Sequence, residues 1–217
     1  NIKPDGRYVD LTFGRGGHSQ RILQQLGPEG RLLALDRDPV AIGVAKQEGP
    51  FQDPRFSIEH SEFSQLSHVV EKYGWKGQVD GILMDLGVSS PQLDDPARGF
   101  SFQKDGPLDM RMNPKAGIDA ATWINQAELY EIIRVLREYG QEKKALRIAK
   151  AIVRQRAVKP FLTTLELADF VSQVSPNYKE KKHPATRTFQ AIRIFINQEL
   201  EELQSALKQS LEVMAVH

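Results

Sequence analysis

The sequence predicts an α/β fold in which a parallel, doubly wound sheet precedes a helical region. Up to about Phe102, short apolar runs alternate with segments of helical periodicity, and strands separated by helices are joined by the crossover connections of a parallel sheet. Beyond Phe102 the strand signal ends, and apolar side chains recur at helical spacing instead. We therefore expect a sheet domain combined with an all-helical domain.

The apolar runs and the periodic segments define the individual elements. Strands are predicted at residues 7–11, 31–35, 55–59 and 79–84. Helices are predicted between them at residues 19–26, 40–47 and 64–73. Because doubly wound sheets usually have more strands, a further strand is expected beyond His217.

The helical region has its own start and end signals. Thr163 followed by Glu166 is the pattern of a capping box and predicts the beginning of a helix. A single final helix is predicted to carry apolar residues from Ile192 to Leu211 and to return toward the sheet.

These elements divide the chain into two predicted domains. The sheet domain comprises residues 1–103 and 200–217, and the helical domain of residues 104–199 is inserted into it. Doubly wound sheets bind ligands at the carboxyl ends of their strands, so a ligand site is expected in the sheet domain. The helical domain is expected to recognise the substrate.

The composition is typical of a soluble globular protein. The 217 residues are 40% hydrophobic and 26% charged, with 29 basic against 28 acidic side chains. No apolar run approaches the roughly 18 residues of a membrane span, so no transmembrane helix is expected. The absence of cysteine excludes disulfides, thiolate zinc sites and cysteine nucleophiles in these residues, and it fits a reducing compartment such as the cytoplasm.

A glycine-rich turn, Asp10-Leu-Thr-Phe-Gly-Arg-Gly-Gly-His18, follows the first predicted strand. Its glycines allow a close approach between backbone and ligand, and it opens a predicted helix whose first N–H groups are free. Asp36 ends the second strand, where a carboxylate is placed to accept both hydroxyls of an adenosine ribose. The pattern predicts a nucleotide-containing cofactor, the alternative being glycines that merely close a strand–helix turn.

Two cofactor classes are compatible with this turn. The spacing of Gly14, Gly16 and Gly17 departs from the strict G-x-G-x-x-G of dinucleotide sites. The acidic Asp10 at the end of the first strand disfavours a pyrophosphate but suits a methionyl ammonium group. The sequence therefore favours S-adenosylmethionine over a dinucleotide.

A short polar loop, Asp85-Leu-Gly-Val-Ser-Ser-Pro-Gln92, directly follows the fourth strand. Catalytic groups of doubly wound enzymes lie at such strand ends. The loop resembles the acid/Asn/Ser-Pro-Pro-aromatic loop of amino methyltransferases, whose acceptors bind the N–H groups of a base amine and help to remove its proton. The alternative is a rigid strand–helix connection with an ordinary helix cap.

The segment from Ala97 to Met112 has neither helical nor strand periodicity and is rich in glycine, aromatic and charged residues. It is predicted to form a flap over the site, with Phe100 or Phe102 stacked on a base. Anchoring of the hinge between the domains is the alternative role for both rings.

Basic residues concentrate in two segments of the helical region. Between Gln141 and Pro160, where Glu142 is the one acid, they are Lys143, Lys144, Arg147, Lys150, Arg154, Arg156 and Lys159. Around the motif HPATRTFQ they are Lys179, Lys181, Lys182, Arg187 and Arg193. Contacts with nucleic-acid phosphates would account for both segments, the alternative being an ordinary solvated surface.

Five segments resemble the RsmH (MraW) family: DLTFGRGGH, LALDRDP, DGILMDLGVSSPQLDDPARGFSF, DGPLDMRM and HPATRTFQA. The resemblance covers nearly the whole chain and implies a Rossmann-like methyltransferase sheet with an inserted all-helical domain. It also implies S-adenosylmethionine-dependent methylation of the N4 amine of a cytidine in the decoding region of bacterial 16S ribosomal RNA. Members of this family usually have a further segment before Asn1 and a glycine turn with a Ser-Phe-His-Ser strand after His217.

The resemblance also implies roles for particular residues. Carried over by position, the cofactor contacts fall on Gly16, Gly17, His18, Asp36, Phe63, Asp85 and Gln92, and Gly14 belongs to the same turn. The transfer site is expected at Asp85, Ser89, Ser90 and Pro91. RNA contacts are expected from Phe100, Lys143, Lys144, Arg147, Lys182, His183 and Arg187.

The expected partner is 16S rRNA within the small ribosomal subunit, with no membrane partner, no metal site and a homodimer as a candidate assembly. Methylation of cytosine at C5 normally needs a cysteine nucleophile, whereas transfer to an exocyclic amine needs none. Three alternatives remain open: an amino methyltransferase on DNA, a non-catalytic RNA-binding ribosome assembly factor, and a nicotinamide dehydrogenase, which the glycine spacing disfavours.

Overall fold

The structure is a computed structural model that describes residues 2–47, 49–176 and 182–215. Within these residues four strands form one parallel sheet: β1 Arg7–Asp10, β2 Arg31–Asp36, β3 Phe56–His60 and β4 Gly81–Leu83. Their order in the sheet is β3-β2-β1-β4. The predicted strands and their parallel arrangement are confirmed.

Helices make up much of the rest of the described chain. They are α1 Gly17–Leu23, α2 Pro39–Ala45, α3 Leu66–Lys72, α4 Ser90–Asp94, α5 Ala120–Gln126, α6 Leu129–Glu138, α7 Ala145–Arg156, α8 Thr164–Val174, α9 Thr186–Ile196 and α10 Glu199–Val213. The predicted capping box at Thr163 and Glu166 is present and begins α8. Among the described residues no helix is both long and apolar enough to cross a membrane.

Both faces of the sheet are apolar, because successive residues of a strand point to opposite sides. On β2, Leu32 and Ala34 belong to the core that includes α1 and α2, whereas Leu33 and Leu35 belong to the core that includes α3 and α10. All four side chains are completely buried, and each leucine contributes about 1.5–3 kcal/mol through that burial. The sheet is therefore covered on both faces, as the doubly wound fold requires.

The order of the strands reverses between β1 and β4. These strands are neighbours, with Asp10 beside Leu83, although α1 after β1 and α3 before β4 pack on opposite faces. Such a reversal opens a crevice at the carboxyl ends of the strands, where ligands bind in doubly wound sheets. We call the region formed by residues 10–18, Asp36 and residues 85–89 the strand-end crevice.

The last helix returns to the sheet, as expected from the sequence. Ala206 and Val213 of α10 are fully buried in the core that also contains Val9 of β1. Glu202 accepts the backbone N–H of Ser64 at 2.8 Å, which fixes α10 to the chain ahead of α3.

The prediction of one continuous helix from Ile192 to Leu211 is wrong, because α9 and α10 are separate. Gln198 between them adopts a φ of 50°, which interrupts a right-handed helix. Asn197 turns its side chain to the backbone, donating to the Met110 carbonyl and accepting the Met112 N–H, both at 2.7 Å. Apolar spacing continues across the break and therefore did not reveal it.

The chain divides into two compact units. The sheet unit comprises Asn1–Ser89 and Leu200–His217, and the helical unit comprises Ser90–Glu199. Residues 90–103, which the sequence interpretation placed with the sheet, cluster with the helical unit. Part of the reason is Arg98, whose guanidinium donates to the carbonyls of Arg111 and Met112 at 3.1 and 2.9 Å.

Candidate functional site

Asp10 is the buried centre of the turn after β1. Its carboxylate accepts Ser19 Oγ at 2.7 Å, the Thr12 N–H at 3.0 Å and Thr12 Oγ1 at 3.3 Å, and the residue has no exposed surface. Burial raises the pKa of the Asp10 carboxyl, and the hydrogen bonds from Ser19 and Thr12 offset part of that rise. Asp10 therefore holds the turn together from inside.

Thr12 connects this turn to the loop after β4. Its hydroxyl donates to Asp10 and accepts the backbone N–H of Asp85 at 2.8 Å. Thr12 and Ser19 were not among the predicted site residues, although both lie in or beside the glycine-rich motif. A hydroxyl residue two positions after a strand-end aspartate is the signal in the sequence that indicates such a link.

Asp36 at the end of β2 also fixes the turn. Its Oδ2 accepts the Gly14 N–H at 2.7 Å, and its Oδ1 accepts the Asp38 N–H at 2.8 Å. Burial raises the pKa of Asp36, and these two backbone bonds offset part of that rise. Each carboxylate oxygen has a further lone pair, so Asp36 can still accept hydroxyl groups of a ligand.

The glycines of the turn have different surroundings. Gly16 has a φ of 77°, and a Cβ atom there would lie 2.1 Å from Cζ of Phe51, which packs edge-on against Phe13 with ring centroids 4.9 Å apart. At Gly17, by contrast, no atom of the described residues lies within 4 Å of the Cβ position. The fold thus requires glycine at position 16, whereas position 17 borders open space.

The loop after β4 lies beside the glycine turn. His18 Nε2 is 3.3 Å from Asp85 Oδ2, and the two side chains are 50% and 69% exposed. A Cβ atom on Gly14 would lie 3.8 Å from Cβ of Ser89. The strand-end crevice therefore combines carboxylates, a histidine and a hydroxyl group around the glycine turn.

Comparison with known proteins shows which family the chain belongs to. A family model described as the MraW methylase family matches residues 1–217. The chain belongs to this family. Among curated relatives, the Ribosomal RNA small subunit methyltransferase H of Coxiella burnetii strain Dugway is 62% identical over 215 residues, which cover 99% of this chain and 70% of the relative. The protein of the same name from strain Henzerling II is 61% identical over the same shares of both chains.

Membership of the MraW methylase family confirms the resemblance seen in the sequence and the methyltransferase class.

The predicted site residues fall in both units. The sheet unit holds Gly14, Gly16, Gly17, His18, Asp36, Phe63, Asp85 and Ser89. The helical unit holds Ser90, Pro91 and Gln92, all in α4. Phe63 begins a short 3₁₀ turn and is partly buried against the core of α3 and α10.

The predicted RNA-binding residues of this methylase all belong to the helical unit. Phe100 is 6% exposed and lies under the Arg98 guanidinium, with 5.7 Å between Cζ of Arg98 and the ring centroid. Phe102 packs on His183 with ring centroids 4.6 Å apart. Stacking of these rings on a base stays a prediction, and Lys179 and Lys181 lie outside the described residues.

The described residues contain no group of three or more His, Asp or Glu side chains placed to hold a metal ion.

Proposed function

We propose that the protein transfers a methyl group from S-adenosylmethionine to the N4 amine of a cytidine in the decoding region of 16S rRNA. The observation that carries this proposal is the strand-end crevice, which gathers Asp36, Asp85 and the glycine turn in a member of the methylase family. The names of the relatives, which refer to the small ribosomal subunit, support the rRNA substrate. Ribosomal RNA as substrate makes the cytoplasm the proposed location.

The chemistry of the crevice fits this cofactor. Asp36 is a partly buried acceptor with free lone pairs, as ribose hydroxyls require, and Gly17 leaves open space beside the turn. The carboxylates of Asp36 and Asp85 favour a ligand that carries positive charge on its ammonium and sulfonium groups. When bound, S-adenosylmethionine supplies an activated methyl group to a nucleophile.

Orientation of the amine is the main task for the protein, because methyl transfer requires alignment rather than a covalent enzyme intermediate. The link from Asp10 through Thr12 to the Asp85 N–H fixes the start of the loop after β4. We assign amine orientation to Ser89 at the end of this loop and to Ser90 and Pro91 at the start of α4. Hydrogen-bond acceptors there hold the N–H groups and direct the nitrogen lone pair.

The amine loses a proton during the transfer, and the side chains nearest to the loop offer acceptors. Asp85 and His18 are both exposed and 3.3 Å apart, so either group can pass a proton to water. The target cytidine must leave its base stack to reach them, as in other base-modifying enzymes. The cationic helical unit is assigned to the surrounding RNA, whose phosphates attract lysine and arginine.

The test is transfer of a radiolabelled methyl group to small ribosomal subunits from cells that lack this activity. Wild-type protein should label 16S rRNA, and Asp85→Ala should reduce the rate at least about tenfold because it removes an acceptor at the transfer site. Glu71→Ala, which removes an exposed acid elsewhere in the sheet unit, is the control and should retain the rate. Labelling of duplex DNA in place of subunits, or RNA binding without transfer, would contradict the proposal.

A further inference from the structure

The helical unit contains a cavity of about 100 Å³ that the methyl-transfer chemistry does not use. Three segments form it: the turn between α6 and α7, the end of α8, and the start of α9. Its lining residues are Glu142, Lys143, Lys144, Ser175, Lys182, His183, Pro184, Thr186 and Arg187. Because one water occupies roughly 30 Å³ of liquid, this cavity has room for a phosphate group.

A close backbone approach brings the first and third segments together. A Cβ atom on Gly140, just after α6, would lie 2.6 Å from the carbonyl oxygen of Arg187 in α9, so a side chain there would push the helices apart. Gln141 follows with a φ of 49° and turns the chain toward α7. Glu142 then accepts the Lys144 N–H at 2.9 Å, which fixes the turn that carries the two lysines.

Cations dominate the rim of this cavity. Lys143 and Lys182 are exposed, and the described part of the chain records no ion pair for either of them. Lys144 Nζ donates to the Pro176 carbonyl at 3.1 Å and is thereby held near the end of α8. Glu142 is the one acid among the lining residues; it is 8% exposed and engaged in capping the turn. The cavity therefore favours an anion.

Ser175 provides a hydroxyl donor in the wall of the cavity. The residue is 5% exposed, and its backbone N–H is bonded to the Val171 carbonyl at 2.8 Å. Within the described residues no hydrogen bond is recorded for its hydroxyl group. The hydroxyl oxygen itself is not fully buried, so it is accessible from the cavity and can donate to an oxygen atom of a bound anion.

His183 is held at the same rim. Its Nδ1 lies 3.3 Å from the Ala185 N–H and accepts from it, and its Nε2 lies 3.4 Å from Ser172 Oγ. The ring also packs on Phe102. These contacts fix the entrance of the cavity independently of any ligand.

We propose that this cavity is a phosphate-binding subsite that holds one phosphodiester group of the substrate RNA. The Ser175 hydroxyl donates to a phosphate oxygen, and Lys143 and Lys182 neutralise its charge. This assignment rests on the proposed rRNA substrate and adds to it a defined anchoring point in the helical unit.

A linear polyanion fits this region better than a free anion because the cations continue beyond the cavity. Exposed basic side chains recur on one face of α7 at spacings of three or four residues, namely Arg147, Lys150 and Arg154, and the rim residue Lys143 lies two residues before this helix. At a rise of 1.5 Å per residue the three helical positions span about 10 Å. A nucleic-acid backbone can follow the row while one of its phosphates occupies the cavity.

The test measures binding of small ribosomal subunits to full-length protein labelled at its N-terminal amine, at salt concentrations from about 50 to 200 mM. Lys182→Ala should weaken binding about tenfold and reduce the slope of log affinity against log salt by about 0.7–1, because one fewer counterion is released. Lys115→Ala, which removes another exposed lysine of the helical unit, is the matched control and should change neither quantity.

Ser175→Ala distinguishes a phosphate subsite from a general basic surface. It should weaken binding about tenfold without changing the salt slope, because the hydroxyl group is neutral, and without lowering the melting temperature. Wild-type affinity and slope in both Ser175→Ala and Lys182→Ala would overturn the subsite. The methyl-transfer assay distinguishes this proposal from the proposed function. If the variants weaken subunit binding as expected but the wild-type protein transfers no methyl group, the phosphate subsite is supported and the proposed function is contradicted.

Discussion

The strand-end crevice and the cavity of the helical unit carry opposite charge and are built in different ways. In the crevice, the Asp10 carboxylate is fully buried and the Asp36 carboxylate partly buried, and both are bonded to backbone or hydroxyl groups of the turn. In the cavity, Lys143 and Lys182 extend from an exposed rim. Fixed acceptors suit a small cationic cofactor whose position must be exact to a fraction of an ångström, whereas exposed lysines suit a flexible polyanion.

We therefore expect the two sites to respond to different perturbations. The crevice depends on backbone geometry, so substitutions that move the glycine turn affect folding and cofactor binding together. The cavity depends on charge at its rim, so its substitutions affect affinity and salt dependence while the fold is retained. Four predictions test this contrast.

The largest expected effect is that of Gly16→Ala on the free energy of unfolding. The new Cβ atom meets the Phe51 ring, and the residue must keep a left-handed backbone, so we expect a loss of about 3 kcal/mol in urea unfolding. Gly17→Ala, one residue later, is the control and should change stability by less than about 0.5 kcal/mol, because it enters open space. Equal stability of the two variants would contradict the backbone requirement at Gly16.

Asp36→Ala should weaken S-adenosylmethionine binding by about 1–3 kcal/mol in calorimetry. The substitution removes the proposed ribose acceptor and leaves the Gly14 N–H without its carboxylate partner. Glu71→Ala removes the same charge from the exposed face of α3 and should leave the affinity unchanged. Unaltered cofactor affinity in Asp36→Ala would mean that Asp36 holds the glycine turn but does not bind the cofactor.

Salt should affect the binding of the two proposed ligands of the wild-type protein to different extents. Raising salt from about 50 to 200 mM should weaken subunit binding at least about tenfold, because lysines at phosphates release counterions. Cofactor affinity should change far less, because buried and partly buried charges are screened little. Equal salt dependence of both affinities would remove the distinction between the two sites.

The smallest effect is expected for Asp10→Asn on the pH dependence of stability. The raised pKa of Asp10 means that its ionised form is disfavoured in the fold, so the wild type loses stability as pH rises from the ordinary value of 3.8 through the raised pKa. An asparagine keeps an acceptor for Thr12 and places its amide toward Ser19 Oγ. We therefore expect Asp10→Asn to be more stable at pH 7 by about 1 kcal/mol or less, with the difference disappearing near pH 4.

Asp36→Asn is the contrasting control for that experiment. Both carboxylate oxygens of Asp36 accept backbone N–H groups. In Asp36→Asn the side-chain NH₂ group replaces one of these oxygens and points its hydrogens at a backbone N–H, so the variant should be less stable than the wild type at pH 7. A stabilised Asp36→Asn, or an Asp10→Asn without a pH-dependent difference, would contradict the hydrogen-bond assignments.

Much of the fold was predictable because it depends on local periodicity. The strands, the capping box at Thr163 and the glycine turn all leave short-range signals, and the structure confirms them. The break at Gln198 was missed because it depends on contacts of Asn197 with a segment distant in sequence. The grouping of residues 90–103 with the helical unit depends on similar long-range bonds from Arg98.

The candidate site was predictable in its residue types but less so in its connections. Strand ends and glycines pointed to Asp36 and Asp85, because parallel topology brings strand ends together. The positioning role of Asp36 toward Gly14 and the link through Thr12 required the three-dimensional arrangement. The same holds for the cavity, whose Ser175 carries no sequence signal of its own.

The methylation proposal is tested in the cell by mass spectrometry of 16S rRNA from cells that lack this protein, with and without restored wild-type or Asp36→Ala protein. If the strand-end crevice methylates the rRNA, one decoding-region cytidine should lose the mass of a methyl group in the deleted strain, regain it with the wild type, and remain largely unmethylated with Asp36→Ala. An unchanged methyl group on that cytidine in the deleted strain would show that this protein does not methylate it.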